Sequence, residues 1–113
     1  MAKFMLIYRD KAENRTPLSP EEMQGFLGMW DAWLKQFGER IVESGDELLP
    51  TGRVLRGSGE VANGPYVEAK EIVGGYSIVS ADHYEAAIEI AKECPIVKVG
   101  GDIEIRELAG HGG

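Results

Sequence analysis

The sequence predicts an α+β domain in which two helices cover one face of an antiparallel sheet. Three features predict it: an apolar strand at the start, two amphipathic helices with capping signals, and a strictly alternating strand at the end. The 113 residues, 43% hydrophobic and 27% charged, suit one small domain spanning 1–113, folded over 1–109, with a Gly-rich tail at 110–113. A chain of this length buries enough surface for a core without disulfides or a structural metal.

Lys3 to Arg9 reads KFMLIYR, apolar at five consecutive positions, which a strand tolerates only with both faces covered. Asp10 to Leu18 is polar, contains Pro17 and reads as a loop. Ser19-Pro20-Glu21-Glu22 then opens a helix: Ser19 and Glu22 have capping-box spacing, and Pro20 suits the first helical position. Met23, Phe26, Leu27, Trp30, Leu34, Phe37 and Ile41 follow at helical steps as one apolar stripe, with Gly38 a possible early stop. Trp30 is expected in the core and Trp33 at the edge of the stripe. Gly25 and Gly28 are compatible with a close approach of another element.

Glu43 to Gly59 is rich in glycine, and Arg53 to Arg56 is its only strand-like run. Asn63-Gly64-Pro65 reads as a turn, and Ile72 to Val79 as a core strand. Asp82 is the expected cap of a second helix, with Tyr84, Ala87, Ile88 and Ala91 on its apolar face and a stop at Cys94-Pro95. In Asp102 to Leu108, Ile103 and Ile105 point one way and Glu104 and Arg106 the other.

This order is the split βαβ, or ferredoxin-like, arrangement, which leaves one sheet face bare. The first strand cannot satisfy itself there, because either Met5 and Ile7 or Phe4 and Leu6 must point away from the helices. A two-fold partner laying its own sheet on that face would bury them. A homodimer is therefore expected, a dimeric α/β barrel with a cleft between the facing sheets.

Composition narrows the function. The single cysteine, Cys94, cannot form an internal bridge, no Cys or His cluster has zinc-site spacing, and a reduced, cytoplasmic protein without metal or cofactor is expected. The opening apolar run is too short for a signal sequence or a membrane span. Residues 57–113 carry 10 acids against 4 bases and hold most of the net charge of −7. With a pI near 4.8 and no basic run, neither nucleic acid nor an anionic membrane is an expected partner.

Five segments carry a family resemblance: FMLIYR at 4–9, SPEEM at 19–23, NGPYVEAKE at 63–71, GGYSIV at 74–79 and GGDIEIREL at 100–108. Together they resemble the YCII-related family nearly end to end. They are most similar to its branch named for an Asp-Gly-Pro-Phe motif, the DGPF domain, which reads here Asn63-Gly64-Pro65-Tyr66 and continues through Glu68, Lys70 and Glu71. Asn63 leaves any general-base or ligand role at that position without its carboxylate. The resemblance implies a ferredoxin-like dimer with facing sheets. Some relatives outside the branch use a His and Asp pair proposed as catalytic, and this chain lacks one in a comparable place. His83 adjoins a helix start and His111 lies in the tail.

The remaining ionisable groups define the candidate ligand-binding residues: Glu68 and Lys70, which alternate with Val67 and Ala69, together with Tyr66, Tyr8, Glu104 and Arg106. A carboxylate beside a cation can position a polar substrate or move a proton, and a tyrosine can orient an oxyanion. Cross-strand pairing of Glu68 with Lys70, with Glu104 and Arg106 decorating a dimer interface, is the purely structural alternative. Tyr76 is read either as a further hydroxyl donor or as core. Gly74-Gly75 precedes no helix and is no phosphate loop. Two functions remain open: a small dimeric protein with a small-molecule cleft, including lyase-like enzymes, whose ligand is a small polar metabolite, or a non-catalytic module of the kind the resemblance links to sigma factors and stress regulation.

Overall fold

The computed structural model describes residues 1–11, 18–64 and 71–111. Its elements are β1 (Ala2–Lys11), α1 (Pro20–Phe37), a 3-10 turn (Gly38–Arg40), β2 (Ile41–Glu47), β3 (Gly52–Leu55), β4 (Val61–Gly64), β5 (Glu71–Ala81), α2 (Tyr84–Lys92), α3 (Pro95–Lys98) and β6 (Asp102–Glu107). The main sheet has the order β2-β5-β1-β6 and is antiparallel throughout, the ferredoxin-like arrangement. β3 and β4 form a separate two-stranded sheet between the second and third strands of that framework.

β1 is central, as its apolar run demands, and it extends past Arg9 to Lys11, where Asp10 and Lys11 pair with Ile72 and Glu71 rather than starting a loop. Phe4, Leu6 and Tyr8 face the helices and are buried. Val79 and Ala81 of β5 join them, with Trp33 of α1, Ala87, Ile90 and Ala91 of α2, and Cys94. Ile103 and Ile105 of β6 pack against this core from the same side.

The helix start follows the sequence closely: Ser19 Oγ accepts from the Glu22 amide, and the Glu22 carboxylate accepts from the Ser19 amide, each at 3.1 Å. The stripe differs. Trp33, not Trp30, is the fully buried ring, and its indole N–H donates to the Ile90 carbonyl at 2.9 Å, where α2 ends. Trp30 is half-buried between Phe26, Tyr8 and Trp33, in an aromatic series that Phe37 continues. Met23 and Leu27 are exposed, because the first turns of α1 overhang the core, and Ile41 begins β2. Gly25 and Gly28 have open space where a side chain would lie, so no described element approaches them.

Three further expectations are corrected. Asn63 and Gly64 are not a turn but the end of β4, paired with Arg53 and Gly52. His83, not Asp82, caps α2, its Nδ1 accepting from the Ala86 amide at 3.1 Å. β2, absent from the sequence reading, pairs with β5 through two irregularities. One of them places Gly45 at φ +72°, where a Cβ would lie 1.7 Å from the Tyr76 carbonyl oxygen. That bulge hides the strand's alternation. Gly75 is required for a different reason: a Cβ there would meet the Asp46 carbonyl at 2.9 Å and the Tyr8 ring at 3.2 Å.

Candidate functional site

The register assigns every strand residue to one of two faces, since directly opposed residues in an antiparallel pair share a face. Away from the helices, Glu43, Ile78, Met5 and Arg106 form one row across the sheet. The next row is Asp46, Tyr76, Ile7 and Glu104, and a third holds Val73, Arg9 and Asp102. The centre of this open face is apolar, with Met5, Ile7, Tyr76 and Ile78 half-buried, and its margins are charged. No described helix covers it.

Arg9, Glu104 and Arg106 form a linked set at one edge. Arg9 donates to Glu104 Oε1 at 2.7 Å, a diagonal contact between neighbouring strands, and Arg106 approaches Glu104 Oε2 at 3.4 Å. The Arg9 and Glu104 side chains are 33% and 35% exposed, whereas Arg106 is 69% exposed and, among the described residues, contacts Glu104 alone. The hydrogen bond from Arg9, and then that from Arg106, hold the Glu104 carboxyl below the usual carboxylate range. Arg106 can meet an anionic group on a ligand, while Asp102, directly opposite Arg9, balances the charge of the set. A carboxylate held ionised in this way is a weak proton acceptor at neutral pH.

Tyr8 is not part of this set. Odd and even residues of β1 point to opposite faces, so Tyr8 lies with Phe4 and Leu6 under the helices while Arg9 lies with Ile7 on the open side. Its hydroxyl donates to Ser77 Oγ at 2.5 Å, and Ser77 Oγ donates to the Ser44 carbonyl at 2.7 Å, which satisfies a fully buried serine. Burial pushes the Tyr8 phenol strongly upward, and the adjoining Cys94 thiol is also raised, chiefly by burial. Both are neutral at physiological pH. Cys94 is fully buried where α2 gives way to α3 and is unavailable to substrate.

Tyr66, Glu68 and Lys70 lie outside the described residues. Tyr76 stands on the open face rather than in the core, in the same row as Glu104. Arg9 is the residue that sequence reasoning missed. Alternation alone puts it on the face of Met5 and Ile7, but its contact with Glu104 depends on the antiparallel register of β1 and β6. His83 is occupied as a helix cap, and His111 is exposed. Among the described residues, no group of three or more His, Cys, Asp or Glu side chains is placed to hold a metal. A recess of about 70 Å³ between Met1, Arg40, Asp82 and Ile90 is too small for a metabolite larger than a few atoms. No described helix is long and apolar enough to cross a membrane.

No curated protein matches the sequence. Among solved structures, the chain is similar to 5-chloro-2-hydroxyhydroquinone dehydrochlorinase from Burkholderia phenoliruptrix in complex with 2,5-dihydroxybenzoquinone. The two are 19% identical, with 89% of this chain and 90% of that one covered and a TM-score of 0.47. The model of the YCII-related domain matches residues 3–109, and with nearly its whole length inside that match the chain belongs to the YCII-related family.

Proposed function

We propose that the protein binds a small anionic metabolite in a cleft formed when two copies face their open sheets towards each other. The observation that carries this reading is the set of Arg9, Glu104 and Arg106 at the edge of an uncovered apolar sheet face. Met5, Ile7, Tyr76 and Ile78 supply the apolar floor that a homodimer would bury, and the two arginines supply the charge that would orient a carboxylate or phenolate. Binding is favoured over proton transfer. Glu104 is tied up by two cations, and the most perturbed proton donor, Tyr8, is on the far side of the sheet.

Within the family, the run from Asn63 to Glu71 supports the branch with the Asp-Gly-Pro-Phe motif, and Glu68 and Lys70 would extend the ligand contacts. A cytoplasmic location fits the single buried thiol. The test has two stages. Sedimentation should give twice the 12.4 kDa monomer mass, and a panel of aliphatic and aromatic carboxylates should then be screened by thermal shift. At least one acid should raise the melting temperature of the wild type and fail to do so in Arg9→Gln/Arg106→Gln. A dimer that no anion stabilises, or one stabilised equally in the double variant, removes the binding reading.

A further inference from the structure

Between β2 and β5, which are sheet neighbours, the chain runs from Leu48 to Lys70, and most of that length builds the β3–β4 hairpin rather than a turn. Among the described residues, the two strands pack substantially only with each other. A lone two-stranded ribbon is marginal in water. Its faces also differ: Gly52, Val54, Ala62 and Gly64 share the half-buried face, while Leu55 and Val61 oppose each other on the other face at 72% and 59% exposure. The molecule is a slab of 43 × 41 × 19 Å with a radius of gyration of 15.5 Å. A compact chain of this length has about 13 Å. The hairpin therefore extends outward as an arm.

We propose that this arm is a clasp that each protomer lays on a second copy of the chain, seating Leu55 and Val61 at the end of the shared cleft that carries Arg9 and Glu104. The inference rests on the dimer reading above and adds a partner-supplied wall to its site. Position supports it first. The Leu48 amide donates to the Gly74 carbonyl at 2.9 Å, and Val73 pairs with Arg9, so the arm springs from the Arg9 end of the sheet.

Area supports it next. Leu55 and Val61, exposed on the arm, add to the half-covered Met5, Ile7, Tyr76 and Ile78 in the apolar surface that a second copy can bury. Charge is the third argument. The arm carries Arg53 and Arg56 against Glu60 alone, in a chain of net charge −7 whose β2 edge presents Glu43, Asp46 and Glu47. A basic arm and an acidic body on every copy are complementary across a two-fold axis.

Amide hydrogen exchange on the wild-type protein, at concentrations above and below dimer dissociation, tests the clasp directly. Peptides covering residues 52–64 should exchange at least about tenfold more slowly in the dimer, and equal exchange in the two states overturns the inference. In parallel, Leu55→Ser/Val61→Ser should weaken dimerisation at least about tenfold, or 1.4 kcal/mol. The melting temperature of the dissociated monomer should stay nearly unchanged, because both side chains are mostly exposed within one chain. A dissociation constant within twofold of the wild type also overturns the clasp. A wild type that is monomeric at every concentration overturns the dimer reading and the clasp with it, whereas a stable dimer with a fast-exchanging arm overturns the clasp alone.

Discussion

The two faces of β1 are written in alternate letters of one ten-residue strand, yet they do different work. Phe4, Leu6 and Tyr8 are closed over by helices within the chain, while Met5, Ile7 and Arg9 remain half-covered. The first set stabilises the fold, each fully buried side chain contributing about 1.5 to 3 kcal/mol. The second is too apolar for a solvent face and too charged at its margin for a core.

The sharpest way to break the comparison is to place the same charge on each face. Leu6→Asp buries an unpaired carboxylate in the core, a cost of several kcal/mol that takes most of the 5 to 15 kcal/mol available to a domain. It should abolish cooperative unfolding. Ile7→Asp, one residue away, should keep native circular dichroism and sediment as the 12.4 kDa monomer. If both variants unfold, the two faces are not separable.

Next in size is Trp33→Ala, which removes a ring that is 1% exposed and hydrogen-bonded to the end of α2. A loss of about 3 to 5 kcal/mol is expected in denaturant titration. Trp30→Ala should cost clearly less, because that ring is only half-buried. Equal losses would mean that the half-buried Trp30 ring is held as firmly as the fully buried Trp33.

A smaller effect comes from the buried polar contacts on the helix side. Tyr8→Phe removes the donor to Ser77 and should cost about 1 kcal/mol. Burial raises both Tyr8 and Cys94, so the folded state holds their protons longer than the unfolded state does. Their contribution is therefore complete below the ordinary thiol value of 9.0 and is lost as pH rises above it, first through Cys94 and then through Tyr8. Melting temperatures should fall above pH 9, and Cys94→Ala should flatten the first part of that fall. The open face gives the smallest stability effect: Arg106→Gln should leave the melting temperature unchanged and change only ligand response.

These contrasts follow how much the sequence could disclose. β1, the capping box at Ser19 and Glu22, and the alternation of Ile103 to Arg106 depend on neighbours a few residues away, so pattern alone placed them. β2 was hidden because Gly45 sits at a bulge that interrupts the period of two. The exchange of Trp30 for Trp33 reflects tertiary reach, since the carbonyl of Ile90 that receives the indole is 57 residues away. Glu104 and Arg106 were legible as a pair on one face. Their link to Arg9 was not, because it joins residues 95 positions apart through a register that only the folded sheet defines.

The aromatic series along α1 gives the protein a built-in optical gauge. Trp30 and Trp33 meet edge to face with centroids 5.5 Å apart, one ring half-wet and the other dry with its N–H bonded. Two indoles so close and so differently solvated emit at different wavelengths and couple in the near-ultraviolet. Lifting α1 from the sheet would break the Trp33 hydrogen bond to Ile90 and wet that ring, shifting its emission towards that of Trp30, and Trp30→Phe would leave the dry emitter alone. Helix docking can therefore be followed in the native chain, without a dye, independently of what happens on the opposite face of the sheet.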